Sequence, residues 1–199
     1  MKDESTLGAN YYRGVANASK IPSAITKNED NGNFTLNLLG NFNNENSNLL
    51  VSKGVVNAED INNSGQILGL DFLFNSKNFT NTQKIDAWRD TSITADRFLN
   101  SKDAAITAIN KADIKTVDAI NHGSIKSNYI NIDSSQLIND KTGSIEGVEN
   151  VFITSANVEN NGRINSETIN VDSHKLVNNS TGVIEGKKNV PIESMQTEN

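Results

Sequence analysis

Apolar residues in this chain recur at a long, nearly constant interval. One column runs Ile67, Ile85, Ile106, Ile125, Ile145, Ile164, Ile184, in steps of 18 to 21 residues. A second runs Ile61, Phe79, Phe98, Ala119, Leu137, Val158, Leu176, and a third runs Phe74, Ile93, Ile114, Ile132, Ile153, Val171, Ile192. Around each column apolar and polar residues alternate, which turns one side chain inward and the next outward, as in a strand. Three columns predict three short strands per coil, stacked about 4.8 Å apart into parallel sheets. Roughly seven coils then give a rod about 35 Å long.

The period is plainest between Ile130 and Val190. INIDSSQLINDKTGSIEGVENV, from Ile130, aligns without a gap on INVDSHKLVNNSTGVIEGKKNV, from Ile169, 39 residues later. Ile130 falls on Ile169, Asp133 on Asp172, Leu137 on Leu176, Gly143 on Gly182 and Gly147 on Gly186. A looser half-copy, NVENNGRINSETI, lies between them, so the unit is about 19 to 20 residues, the signature of a solenoid. The expected fold is an all-β parallel β-helix over residues 45–194. Residues 1–44 form an irregular N-terminal cap segment and 195–199 a tail. Within the cap, Phe34, Leu36 and Leu38 alternate as one strand, and Asn41–Asn48 reads as a loop.

A helix competes in one place. SKDAAITAINKADIKTVDAINH, from Ser101, is Ala-rich, with Ile106, Ile109, Val117 and Ile120 loosely at helical spacing. A shift of 39 nevertheless carries Ile106 onto Ile145 and Ile114 onto Ile153, and this long-range register favours strands.

Turns repeat as well. An asparagine recurs at Asn62, Asn81, Asn100, Asn121, Asn139, Asn160 and Asn178. Its amide can bond its own turn and the asparagine of the next coil, forming a stacked ladder. The following glycine is expected to supply a positive φ. Corners alternate between Asn121-x-Gly123 or Asn160-x-Gly162 and the longer Asn139–Gly143 or Asn178–Gly182. Gln83 and Ala104 stand where glycine is expected, which predicts distorted corners there. Pro191 occupies an outward position on the last strand, where the missing N–H is tolerable at a sheet edge.

Composition adjusts this picture without changing it. Asparagine supplies 33 of 199 residues and apolar residues only 35%. A thin one-dimensional core needs few apolar residues, and Asn suits many turns. The net charge of −6 is spread out, with no basic cluster for nucleic acid. The longest apolar runs are too short to span a membrane, and MKDESTLGAN lacks the apolar core of a signal peptide. Absence of cysteine excludes disulfides and thiolate metal sites, and suits a chain that crosses a membrane unfolded. The whole reads as a segment of a longer protein, with Met1 as a cloning start.

The run L-x-N-x-x-T-G-x-I-x-G followed by x-x-x-V-x-I-x-S, present as LINDKTGSIEGVENVFITS and LVNNSTGVIEGKKNVPIES, resembles the filamentous haemagglutinin repeat. The resemblance covers about residues 59–194 and is strongest from Asn121 on. It implies a right-handed parallel β-helix from the shaft of a large Gram-negative exoprotein secreted by the two-partner route. That group includes adhesins, haemolysins and contact-dependent growth-inhibition exoproteins. It also implies cell-surface or secreted location, an outer-membrane transporter as partner during secretion, and no catalysis in the repeats.

Candidate chemistry is sparse, and neither a cofactor nor a bound metal is expected. Parallel β-helices also carry polysaccharide lyases and tail-spike hydrolases, which use acids clustered on one face, so a carbohydrate-active β-helix is the alternative. Asp133 and Asp172 share an outward column, with Thr154 between and Lys115 before. Glu146 and Glu185 share another, with Asn165 between and Lys126 before. Both read more simply as alternating charge that keeps like off like. His122 and His174 fall at unrelated points of the coil, without ligand spacing to a second histidine. Trp88, beside Arg89, either stacks on a sugar or protein partner or plugs the glycine-poor part of the solenoid, the reading preferred here. Tyr11, Tyr12 and Arg13 form the other candidate patch for a cell-surface receptor, protein or glycan, and otherwise anchor the cap. The chain is expected to be monomeric.

Overall fold

The computed structural model describes residues 33–198. All regular structure among them is β-strand, in a right-handed parallel solenoid of about eight coils, each about 19 residues long. β1 (Asn33–Asn37) pairs with β2 (Phe42–Asn57), β2 with β3 (Asp60–Asn81), and β3 with β4 (Lys84–Asn100). The next coil splits into β5 (Ala105–Ala108) and β6 (Lys111–Asn121). β7 (Ser124–Asn139), β8 (Ser144–Asn160) and β9 (Arg163–Asn178) follow, and β10 (Val183–Asn189) and β11 (Ile192–Glu198) both add to β9. The segment at 101–122 is therefore strand, and the Ala-rich stretch serves the core: Ala104, Ala108, Ala112 and Ala119 are all buried.

The three expected columns are the observed ladders. Ile67 pairs with Ile85, then Ile106, Ile125, Ile145, Ile164 and Ile184. Phe74 leads through Ile93, Ile114, Ile132, Ile153 and Val171 to Ile192, and Phe79 through Phe98, Ala119, Leu137 and Val158 to Leu176. A fourth buried column runs Phe72, Thr91, Ala112, Ile130, Val151, Ile169. It escapes the period because its early members are so unlike one another. Phenylalanines fill the N-terminal coils, with Phe74 5.3 Å from Phe79 and Phe79 stacked 5.9 Å from Phe98. From Ile125 onward, branched aliphatics take over.

Three short strands per coil were expected, yet strands of 16 to 22 residues run on through most corners. Small residues line two of the three bends. Gly69, Ala87, Ala108, Ser127, Gly147, Ser166 and Gly186 occupy one, mostly at a register shift. Ala95, Thr116, Ser134, Ser155 and Ser173 occupy another, all buried. Small side chains let the backbone turn without opening the parallel bonds. From Lys84 on, each coil's strand ends at the ladder asparagine. Pairing also begins at Asn33 and continues to Glu198, beyond the 45–194 expected for the repeats. Asn41–Asn48, expected as a loop, is strand from Phe42 with one bulge, because Phe42 stacks on Ile61 and Asn44 on Asn63.

The asparagine ladder is continuous and one-directional. Nδ2 of Asn63 donates to Oδ1 of Asn81 at 2.8 Å, Asn81 to Asn100 at 3.0 Å, and Asn100 to Asn121 at 2.9 Å. Asn121 donates to Asn139 at 2.9 Å, Asn139 to Asn160 at 2.8 Å and Asn160 to Asn178 at 2.8 Å. Below Asn63 the partner is Asn44 (2.7 Å), so the ladder member in that coil is Asn63, where Asn62 was expected. Asn62 instead faces outward and donates to Asn43.

Glycine at these corners serves another purpose than the one expected. None of Gly123, Gly143, Gly162 or Gly182 lies in the left-handed region; a Cβ on each would meet the carbonyl oxygen of the preceding coil at 2.2–2.3 Å. Coils simply pass too close there for a side chain. Ala104 stands in the same place, after Asp103, whose φ of 66° is the one positive φ among described non-glycine residues.

Candidate binding surface

Trp88 follows buried Ala87 at the first bend, and it is 52% exposed. It does not plug the core, since phenylalanines already fill that region and the bend admits only small inward residues. Leu70 (38%) stands at the same bend one coil before and Ile109 (59%) one coil after. The three form an exposed apolar ridge with Trp88 at its centre. Arg89 beside it is committed. Its guanidinium forks onto Asp71 of the previous coil, through Nε to Oδ1 at 2.7 Å and through Nη2 to Oδ2. This pairing raises the arginine further above its ordinary pKa. Arg89 thus braces the ridge and is not a free charge. Tyr11, Tyr12 and Arg13 lie outside the described residues.

Charge on the outer columns is arranged mostly as expected. Lys115 stacks on Asp133, Thr154 and then Asp172. Lys126 stacks on Glu146, Asn165 and Glu185, with Lys126 Nζ 3.4 Å from Glu146 and Arg163 2.6 Å from Glu185. Glu146 is held below the ordinary carboxylate pKa, first by the Ser144 hydroxyl and then by Lys126. Hydrogen-bonded lysines likewise lower Glu59 (Lys77) and Glu167 (Lys188). Tyr129 donates to Glu149, which raises the phenol. His122 lies 2.8 Å from Asp140, whose carboxyl is lowered by a backbone bond from Lys141 and then by the histidine. These pairs tie one coil to the next.

Two places break the alternation. Asp71 stacks on Asp90, with Arg89 lying against both carboxylates. Asp172 stacks directly on Glu193 of the next coil, and the two share a groove of about 190 Å³ with Phe152, Thr154 and Asn170. Phe152 is exposed. An aromatic face beside an amide and two carboxylates is chemistry that suits a sugar. Among the described residues, no group of three or more His, Cys, Asp or Glu is placed to hold a metal.

The sequence reading missed the outward aliphatics of the face that carries the second apolar column. Thr80, Leu99, Ile120 and Ile138 stack in register over a groove of about 510 Å³. A signal for them existed, in the apolar doublets Phe98-Leu99, Ala119-Ile120 and Leu137-Ile138. In each, the first residue enters the core and the second must face out. No protein family, no curated protein and no solved structure matches this chain.

Proposed function

We propose that the chain is a rod segment of a large exoprotein of filamentous haemagglutinin type, secreted by the two-partner route to the Gram-negative cell surface or beyond. Its work is mechanical: it gives reach and presents side chains along a stiff axis. The observation that carries this reading is the unbroken ladder of asparagines from Asn44 to Asn178, parallel to continuous apolar columns. About eight coils at about 4.8 Å give about 38 Å of rod. The repeats then need no catalytic group, and recognition of a cell-surface receptor falls to the Trp88 ridge. Binding of labelled chain to intact Gram-negative and epithelial cells tests this. Saturable binding that weakens at least tenfold in Trp88→Ala supports a receptor site on the ridge. Undiminished binding by that variant removes the ridge from the reading. A compact rather than rod-like profile in small-angle scattering removes the rod.

A second reading, a carbohydrate-active β-helix, is favoured by Phe152 beside the stacked Asp172 and Glu193. Adjacent coils set their columns about 4.8 Å apart, near the carboxyl separation of a retaining glycosidase. Depolymerisation of any member of a polysaccharide panel, abolished in Asp172→Asn, would establish it over the rod reading.

A further inference from the structure

Leu99, Ile120 and Ile138 stand one above another on three consecutive coils, with Thr80 before them. On the flat faces, no other outward column among the described residues keeps more than two apolar residues in succession. Arg97 and Asp118 flank the groove from the neighbouring column, on adjacent coils. Both are exposed, and neither has an ion-pair partner among the described residues, on a rod where inter-coil pairs are common. An apolar strip edged by one free cation and one free anion is a self-complementary surface.

We propose that this face is the contact between two copies of the chain, packed antiparallel about a two-fold axis. The axis lies along the strand direction, between the coils of Arg97 and Asp118. Rotation about it sets each column against itself with the coil order reversed, as an isologous contact requires. Arg97 of each copy then meets Asp118 of the other, Leu99 meets Ile120, and Thr80 meets Ile138. Other registers are penalised. An axis through either coil opposes Arg97 to Arg97 or Asp118 to Asp118. A shift of one coil toward the C-terminus sets Leu99 against Glu159, and a shift the other way sets Asp118 against Asp60. Charge therefore selects one register as well as one partner. Four coils of strip cover less than the roughly 800 Å² per partner of a stable complex, so association is weak and concentration-dependent. The inference is independent of the rod reading, which survives if the chain is monomeric.

The test is sedimentation equilibrium of the full chain, with Arg97→Glu and Asp118→Lys made separately. Both positions are exposed, and circular dichroism checks that each variant is folded. Wild type should dimerise as concentration rises. Each variant alone should lose at least about tenfold in association, because both symmetric contacts become repulsive. An equimolar mixture of the two should recover wild-type association, since the heterodimer regains both opposite-charge contacts. Wild type that stays monomeric to its solubility limit overturns the inference. In that case, loss of hydrogen-exchange protection at Leu99 and Ile120 on deletion of residues 1–32 would assign the groove to that segment. Association unchanged in both variants overturns the inference in favour of another surface. A mixture no stronger than either variant overturns the antiparallel register.

Discussion

Asn121 shows how one side chain holds two coils together. It sits fully buried, accepts from Asn100 at 2.9 Å and donates to Asn139 at 2.9 Å and to the Ser144 carbonyl at 3.3 Å. Removing it orphans a donor below and an acceptor above, each costing about 1–3 kcal/mol when buried. Asn121→Ala should therefore lose about 3 kcal/mol in urea unfolding, and a loss under 0.5 kcal/mol would mean the ladder only decorates the corner. Glycine at the same corners makes a second, separate demand. Gly162→Ala sets a Cβ 2.2 Å from the Gly143 oxygen and 2.3 Å from the Asp140 oxygen, both backbone atoms with no freedom to retreat. It should cost more than the 0.5 kcal/mol typical of surface changes, by thermal unfolding. Ala104→Gly, where alanine already fits, should cost the added unfolded-state entropy, about 0.4–1 kcal/mol, and the lost burial of one methyl, about 0.8 kcal/mol. The sequence marked these corners correctly but misjudged the cause, because φ and inter-coil distance leave the same glycine behind.

At the level of the strand, stability comes from identical neighbours above and below. Ile114 lies between Ile93 and Ile132 with no exposure. Ile114→Ala opens a cavity against both and should cost about 2–5 kcal/mol, read from the urea midpoint at unchanged slope. The outward columns add a pH-dependent part. Glu146 has its folded pKa lowered from 4.5, through Ser144 and then Lys126. Its contribution is complete above the unfolded value and disappears as pH falls through the lowered folded value. Thermal midpoints of wild type and Ser144→Ala should thus differ at neutral pH and converge as pH falls below that range. A constant difference across the titration would show that the serine acts by packing alone. Three columns were legible because an apolar residue recurs in each at the coil period, isoleucine in most places of two of them. The Phe72–Ile169 column and the small-residue bends were not, since a buried Thr91 or Ser155 looks like a surface residue until its neighbours are known.

At the scale of the molecule, each described coil packs chiefly on the coils beside it, so unfolding should spread from the least supported one. Ile184 is only half-buried and Ile192 is 40% exposed, in contrast to the closed coils before them. Native-state hydrogen exchange should find β10 and β11 least protected and β6 and β7 most. Equal protection along the rod would indicate all-or-none unfolding. The candidate surfaces also belong to this scale. Leu70, Trp88 and Ile109 are 18 and 21 residues apart, and Asp172 and Glu193 are 21 apart, so none reads as a cluster along the chain.

What the sequence determined alone is the coil: its period, its three apolar columns and its asparagine corners. These depend on one short pattern being satisfied again and again, and repetition makes such a pattern visible. What tertiary structure decided is the outside of the rod. Whether Trp88 plugs or projects, whether Arg89 is free or tied to Asp71, and which aliphatics line up as Leu99, Ile120 and Ile138 all depend on the register between coils. A single residue at a bend sends every following side chain to the other face, and the backbone settles this coil by coil. The inward half of the chain is thus legible from chemistry, and the outward half only from geometry.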